Sequence, residues 1–309
     1  MPLIHEPINT LAQPIPSGTS AARLELNRRY HAISLQCFAQ AQGEDKGPVA
    51  PETIISRVRF IVNGKEMFNL SPKRIKQINA ANRFADTANN LTLYLAEPWQ
   101  EGIVEATKTA WQMYWESSFT MEIDFRDLPV TTQLEVRAIQ HYDRKVLLGL
   151  KNQTSPVYLT LPYALAVAKA TAEGSNWERT HVIIKKLGLS LGSLSQGKQT
   201  LTERFVGERI SRLWYFKTDD TGVLANQFSA FRLVADGGQM FDLRLAEAKE
   251  VLAKHAMDLP DTVLFAMVFD LDGSTDYLQA KSSLVMEPTC AGAINADAVA
   301  ETVNFAFPR

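Results

Sequence analysis

Apolar and polar residues alternate with a period of two along much of this chain, in short runs broken by turn residues. Val58, Phe60 and Val62 are separated by Arg59 and Ile61, the spacing of a strand with one face buried and one only partly so. Asn63-Gly64, which tolerates positive φ in a tight hairpin, follows, and Met67-Phe68 begins the return strand. Ser71-Pro72 then offers an N-cap and a proline at the first helical position, with Ile75 and Ile78 at the apolar spacing of a short helix. The same reading predicts strands at 30–38, 91–95, 120–125, 134–139, 210–217, 263–269, 284–286 and 303–307, and a second helix at 246–255.

These elements recur. Residues 56–80 (SRVRFIVNGKEMFNLSPKRIKQINA) lie over 229–253 (SAFRLVADGGQMFDLRLAEAKEVLA) at a displacement of 173, with eight identities in 25 positions, where random pairing gives roughly one or two. The identities are Ser56/Ser229, Arg59/Arg232, Gly64/Gly237, Met67/Met240, Phe68/Phe241, Leu70/Leu243, Lys76/Lys249 and Ala80/Ala253. Asp236-Gly237 repeats the turn dipeptide of Asn63-Gly64. At the same displacement LTLYLAE (91–97) lies over LFAMVFD (264–270), and at 165 SSFTME (117–122) lies over SSLVME (282–287). The order of the blocks is the same in both copies. Many short strands with one or two helices inserted per copy indicate β-sandwiches rather than alternating βαβ units. The expected fold is therefore all-β, a tandem double jelly roll of two eight-stranded sandwiches. Its parts would be an extended proline-containing arm (1–20), a first jelly roll (21–150), a linker or insertion (151–177) in which 163–172 could be helical, and a second jelly roll (178–309).

Composition narrows the partners. A length of 309 residues suits two domains, each able to bury its own core. Lys and Arg number 32 against 34 Asp and Glu, so there is no global basic surface for nucleic acid, and protein partners are favoured over polyanions. The charged fraction of 21% is slightly below the roughly 25% usual for soluble domains, a deficit that suits a subunit surrounded by its own copies. The first twenty residues lack the basic start and apolar centre of a secretory signal. The uncharged stretch 152–168 contains Pro162 and falls short of a bilayer span. An internal, soluble, cytoplasmically made protein is expected.

Several motifs suggest chemistry. Phe269-Asp270-Leu271-Asp272-Gly273-Ser274 follows an apolar run and resembles the first motif of haloacid-dehalogenase-type phosphatases, in which the first aspartate attacks phosphorus, the second is the acid/base and Mg²⁺ bridges them. Only 37 residues follow Asp272, too few for the remaining motifs, and the repeat already accounts for the segment as a strand ending in a turn. Asp270, Asp272 and Asp276 also suggest a calcium loop, but Lys281 stands at the twelfth position, which excludes an EF-hand and leaves only an irregular surface site. Gly188, Gly192 and Gly197 in GLSLGSLSQG lack phosphate-cradling spacing and read as a flexible loop. His5, His31, His141, His181 and His255 are scattered, with no pair at the spacing of metal ligands on a helix, and Cys37 and Cys290 have no motif support. Trp99, Trp111, Met113, Tyr114 and Trp115 cluster in a helix and loop over 98–118. They suit core packing or an intersubunit contact.

The whole arrangement resembles the double-jelly-roll major capsid proteins of tailless, icosahedral, membrane-containing bacteriophages, most nearly the corticovirus type. RYHAISLQCF (29–38), VRFIVNGKEMFNL (58–70), LTLYLAEPWQEG (91–102) and FTMEIDF (119–125) carry the likeness, with RISRLWYF (209–216), FRLVADGGQMFDL (231–243) and AETVNFAF (300–307) in the second half. The resemblance implies a coat protein and no enzyme, with no catalytic, cofactor-binding or metal residues to carry over. It implies homotrimers whose six jelly rolls make a pseudo-hexagonal footprint, tile the facets beside neighbouring trimers, and stand over an internal lipid membrane. Penton, minor capsid or membrane proteins would be partners, without direct sequence-specific nucleic-acid binding. The chain would reside in the virion capsid after assembly in the host cytoplasm. Some relatives are associated with calcium, but no ligand maps here. The segment 151–178 and the N-terminal arm are longer than in the family, and either would reach a neighbouring subunit or the membrane side. The competing reading is a jelly-roll protein binding carbohydrate or metal outside a capsid, and after it a phosphatase using Asp270 and Asp272.

Overall fold

The computed structural model describes residues 3–40, 45–100, 103–129, 131–151, 157–179, 181–202, 205–218, 228–260, 263–270 and 277–306. Contacts divide the chain into two compact units, one of 1–75, 86–184 and 304–309, the other of 76–85 and 185–303. In chain order the elements are β1 (Ile4–Pro7), β2 (Thr19–Arg23), β3 (Arg29–Gln40), β4 (Gly47–Pro48), α1 (Pro51–Ile54), β5 (Ile55–Val62), β6 (Lys65–Leu70), α2 (Pro72–Ala81), β7 (Asn90–Tyr94), α3 (Ile103–Lys108), β8 (Trp111–Gln112), β9 (Phe119–Phe125), β10 (Gln133–Asp143), β11 (Lys145–Leu150), β12 (Leu159–Pro162), α4 (Tyr163–Thr171) and β13 (Trp177–Arg179). After them come β14 (His181–Leu194), β15 (Gly197–Lys198), β16 (Leu201–Thr202), β17 (Ile210–Lys217), β18 (Phe228–Ala235), β19 (Gly238–Arg244), α5 (Leu245–Lys254), β20 (Val263–Val268), β21 (Leu284–Cys290) and β22 (Ile294–Ala306).

The first unit holds two main sheets. One has the order β2-β9-β5-β6, all antiparallel. In the other, β3 lies between β10 and β7, and β1 adds to the far edge of β10. Alternation puts one face of each strand inside, as in β9, where every second residue from Phe119 to Phe125 is buried. Aromatic rings fill the space between the sheets. Tyr30 of β3 meets Phe119 of β9 at 5.2 Å between centroids, and Phe60 of β5 packs against Phe68 and Trp111 at 5.3 and 5.8 Å. The stretch 151–177 contributes β12, α4 and β13, and β12 and β13 flank β11 in a three-stranded sheet covered by Ala166.

The second unit repeats the plan. Strand β21 pairs with β18 and, on its other edge, with β15 and β16, while β19 pairs with β18. Strand β17 lies between β22 and β20. Element by element, β15/β16-β21-β18-β19 matches β2-β9-β5-β6, and β22-β17-β20 matches β10-β3-β7. Tyr215 of β17 meets Phe231 of β18 at 4.7 Å, and Phe231 stacks on Phe265 of β20 at 5.2 Å. The fold is all-β, with few short helices, and is the double jelly roll expected from the sequence.

Two sequence expectations are corrected. The stretch GLSLGSLSQG was expected to be a flexible loop, but most of it belongs to β14, fourteen residues long. Leu187, Leu189 and Leu191 alternate with Gly188, Ser190 and Gly192 and are the less exposed of each pair, so the period of two survives the small residues. Strand β22 begins at Ile294, nine residues before the expected start, because Ala296, Ala298 and Ala300 supply its buried face. Alanine carries little strand propensity, so the alternation did not stand out in the sequence. Helix α4 ends at Thr171, close to the helical option for that stretch, and α5 covers the expected second helix. Among the described residues no helix is long and apolar enough to cross a membrane.

Candidate functional site

The duplicated sequence blocks meet at equivalent places. Asn63 and Asp236 begin their hairpin turns with φ of 50° and 49°, followed by Gly64 and Gly237 at 75° and 79°, the double positive-φ turn that favours Asn-Gly and Asp-Gly. Each side chain then clasps the serine pair of its own copy. Asn63 Oδ1 accepts from the backbone N–H groups of Ser117 and Ser118 at 2.8 and 3.1 Å and from Ser117 Oγ at 2.9 Å. Asp236 Oδ1 accepts from the N–H groups of Ser282 and Ser283 at 2.7 and 3.0 Å and from Ser282 Oγ at 2.8 Å. The N–H of Asn63 donates to Ser118 O and that of Asp236 to Ser283 O, closing both clasps.

The two clasps differ in charge. Asn63 Nδ2 donates to Glu116, whereas Asp236 accepts from the Lys281 N–H, and 116 and 281 are equivalent at the displacement of 165. Backbone N–H groups of Lys281, Ser282 and Ser283, followed by the Ser282 hydroxyl, hold the Asp236 carboxyl far below the usual carboxylate range. An amide beside a glutamate and a carboxylate without one satisfy the same donors. A cross-strand ion pair is also duplicated: Arg59 faces Glu122 in register at 2.9 Å, and Arg232 faces Glu287 at 3.2 Å.

Each unit also has a buried ionic centre. In the first, Arg29 makes two bonds to Asp143, at 3.0 and 2.6 Å, and His31 Nε2 lies 3.0 Å from the same carboxylate. Burial opposes ionisation of Asp143, but the bonds from His31 and Arg29 and the charge of Arg29 outweigh it and keep the carboxyl well below its ordinary range. In the second, Arg212 makes two bonds to Asp270, at 2.8 and 2.9 Å, and a third to Asn82 Oδ1 at 3.1 Å. Glu301, fully buried, accepts from Trp214 Nε1 at 2.9 Å and lies 3.4 Å from Lys186 Nζ.

This arrangement overturns the phosphatase reading. Asp270 is 3% exposed and both its oxygens are bound to Arg212, so it has no path to a substrate phosphorus. Asp272 and Asp276 lie outside the described residues. Among the described residues no group of three or more His, Cys, Asp or Glu is placed to hold a metal ion. Of the aromatic cluster, Trp111 and Met113 are buried, and Trp111 packs between Phe60 and Phe119. Trp99 stands edge-on to Tyr94, and Tyr114 stacks on Tyr163 at 4.8 Å, so packing is the use the structure shows for them. Both cysteines are buried and form no disulfide. The histidine reading missed one grouping: His5, His31 and His141 fall on neighbouring strands β1, β3 and β10, because antiparallel pairing joins residues 136 positions apart.

The copies diverge at one surface. Met67 and Phe68 of β6 are 5% and 2% exposed, while Met240 at the same place in β19 is 55% exposed and Phe241 is only partly buried. Helix α2 is buried along most of its length, including Arg74, Gln77 and Asn79, whereas α5 buries only Ala248 and Leu252. Identical residues thus sit in a covered place in one unit and an open one in the other.

Three solved structures share this fold across nearly all of both chains. The major capsid protein P2 of bacteriophage PM2 is 14% identical with a TM-score of 0.70, covering 98% of each chain. A chain of the Sulfolobus turreted icosahedral virus is 9% identical with a TM-score of 0.68, covering 100% of this chain and 92% of that one. A chain of the PBCV-1 virus capsid is 8% identical with a TM-score of 0.57, covering 99% and 92%. No curated protein matches. The class that these likenesses define is one of fold, the double jelly roll of these viral proteins. More particularly, residues 5–143 match the model of the viral coat protein P2 N-terminal domain.

Proposed function

We propose that this chain is a structural coat protein of a virion capsid and works as a homotrimeric capsomer, with the β19–α5 surface of one copy covered by another copy. The single observation that carries the proposal is the exposure of Met240 beside the burial of Met67. The duplicated strand leaves Met240 in water beside a partly buried Phe241, and apolar side chains with Met among them are favoured at buried interface centres. Six jelly rolls in a trimer make a pseudo-hexagonal tile. Such tiles would meet neighbouring trimers on the facets, pentons at the vertices, and minor capsid or membrane proteins over an internal lipid membrane, after assembly in the host cytoplasm. The capsomer requires no cofactor.

Negative-stain images of the purified protein test this. Six-lobed particles of uniform size support the proposal, and two-lobed particles at every protein concentration refute it.

A further inference from the structure

His5 on β1 and His141 on β10 face one another across an antiparallel pair, with their Nδ1 atoms 2.6 Å apart and their rings edge to face at 4.8 Å. At that distance one nitrogen donates and the other accepts, so the contact holds one proton between the two atoms. The other nitrogen of His141 is engaged by Ser34 Oγ of β3 at 2.8 Å. We propose that this pair is an acid-sensitive latch, which holds the N-terminal strand on its sheet at neutral pH and releases it when both rings are charged. The proposal stands on the contact itself and is independent of the capsomer reading.

Among the described residues, the carboxylates of Asp143 and Glu6 are already engaged by other groups, and His5 itself is exposed. On β10, Asp143 is engaged by Arg29 and His31 of β3 at 2.6 and 3.0 Å. On β1, Glu6 is engaged by Arg28 at 2.8 Å and by the Tyr142 hydroxyl at 2.8 Å, and Arg144 adds further positive charge at that end. Burial first, and then the neighbouring His5 and His31, push His141 below the ordinary 6.5. The Tyr142 bond, opposed by burial and helped by Arg28, keeps Glu6 below 4.5, so imidazole protonation is what changes around the arm between pH 5 and 8. The docked strand binds fewer protons than the released one. Docking is therefore complete above the ordinary imidazole value and lost as the pH falls below it.

Besides the histidine contact, the strand is held by its pairing with β10 and by Glu6, bound to Arg28 and to the Tyr142 hydroxyl. It is four residues long, it leaves Leu3 and Ile4 at 42% and 37% exposure, and its continuation is fixed by the Ile8 N–H donating to Ala138 O at 2.8 Å.

Amide hydrogen exchange of residues 3–8, corrected for intrinsic rates and followed from pH 7.5 to 5.5, tests the latch in the wild type, in His5→Gln and in His141→Gln. The wild type should lose protection by up to about tenfold per pH unit for each additional proton taken up; His5→Gln should lose less, because burial and His31 still act on His141, and His141→Gln should show a flat profile. Unchanged protection in the wild type, or a loss as steep as the wild type's in His5→Gln or in His141→Gln, overturns the proposal. So does a parallel loss of protection in β3, which would mean that the whole sheet is opening.

Discussion

The two units solve one packing problem twice, and they differ in how far they bury an identical Met-Phe pair. Strand order, turn geometry, the serine clasp and the cross-strand Arg–Glu pair are the same in both. Met67 and Phe68 of β6 are buried, while Met240 at the same place in β19 is open and Phe241 only partly buried. Shared features are those a jelly roll needs to close its own sandwich. The buried ionic centres were also built separately, from Arg29, His31 and Asp143 in one unit and from Arg212, Asp270 and Asn82 in the other.

Substitutions at these centres should have the largest effects. Asp270→Asn leaves the Arg212 guanidinium buried without its counter-charge and should lower the unfolding free energy by about 3–5 kcal/mol, seen as a fall in Tm by calorimetry. An unchanged Tm would mean that the pair is not the structural centre described. Phe68→Ala should cost about 3–5 kcal/mol in the isolated chain through a core cavity, whereas the equivalent Phe241→Ala should cost less, because its ring is only partly buried. Urea unfolding of both variants would break the comparison if the two costs were equal.

Acid separates the units further. Because the Asp143 carboxyl is depressed in the folded state, its contribution is present above the ordinary value near 3.8 and is lost as the pH falls below it. The urea midpoint should therefore drop between pH 5 and pH 2.5 by more in the wild type than in Asp143→Asn. The smallest expected effect is at the turn. Asn63→Asp puts a carboxylate against Glu116 and should cost about 1 kcal/mol, while Asp236→Asn, with no such neighbour, should lower Tm only by the loss of charge-assisted bonds to the serines. Equal Tm changes would refute the charge argument.

Much of this was legible in the sequence because the signals were local. Period-two alternation marked β5, β9 and β18, and Asn63-Gly64 and Asp236-Gly237 marked the turns. The repeated Ser-Ser pairs were visible as letters, but their role appeared only when the hairpin turns came to rest against them. Strand β14 was hidden by glycine and serine between its leucines, and the start of β22 by alanine, since small residues mask alternation that burial nonetheless obeys. The His5–His141 contact had no local signal at all. It depends on the N-terminal strand choosing the edge of β10.

The most direct test is the native mass of the protein with and without the open apolar surface. Sedimentation of the wild type should give a species of about three times the 34.5 kDa chain mass, and Met240→Glu should give folded monomer with an unchanged far-UV spectrum. A wild type that remains monomeric at all concentrations, or a Met240→Glu variant that still forms the trimer, would contradict the account.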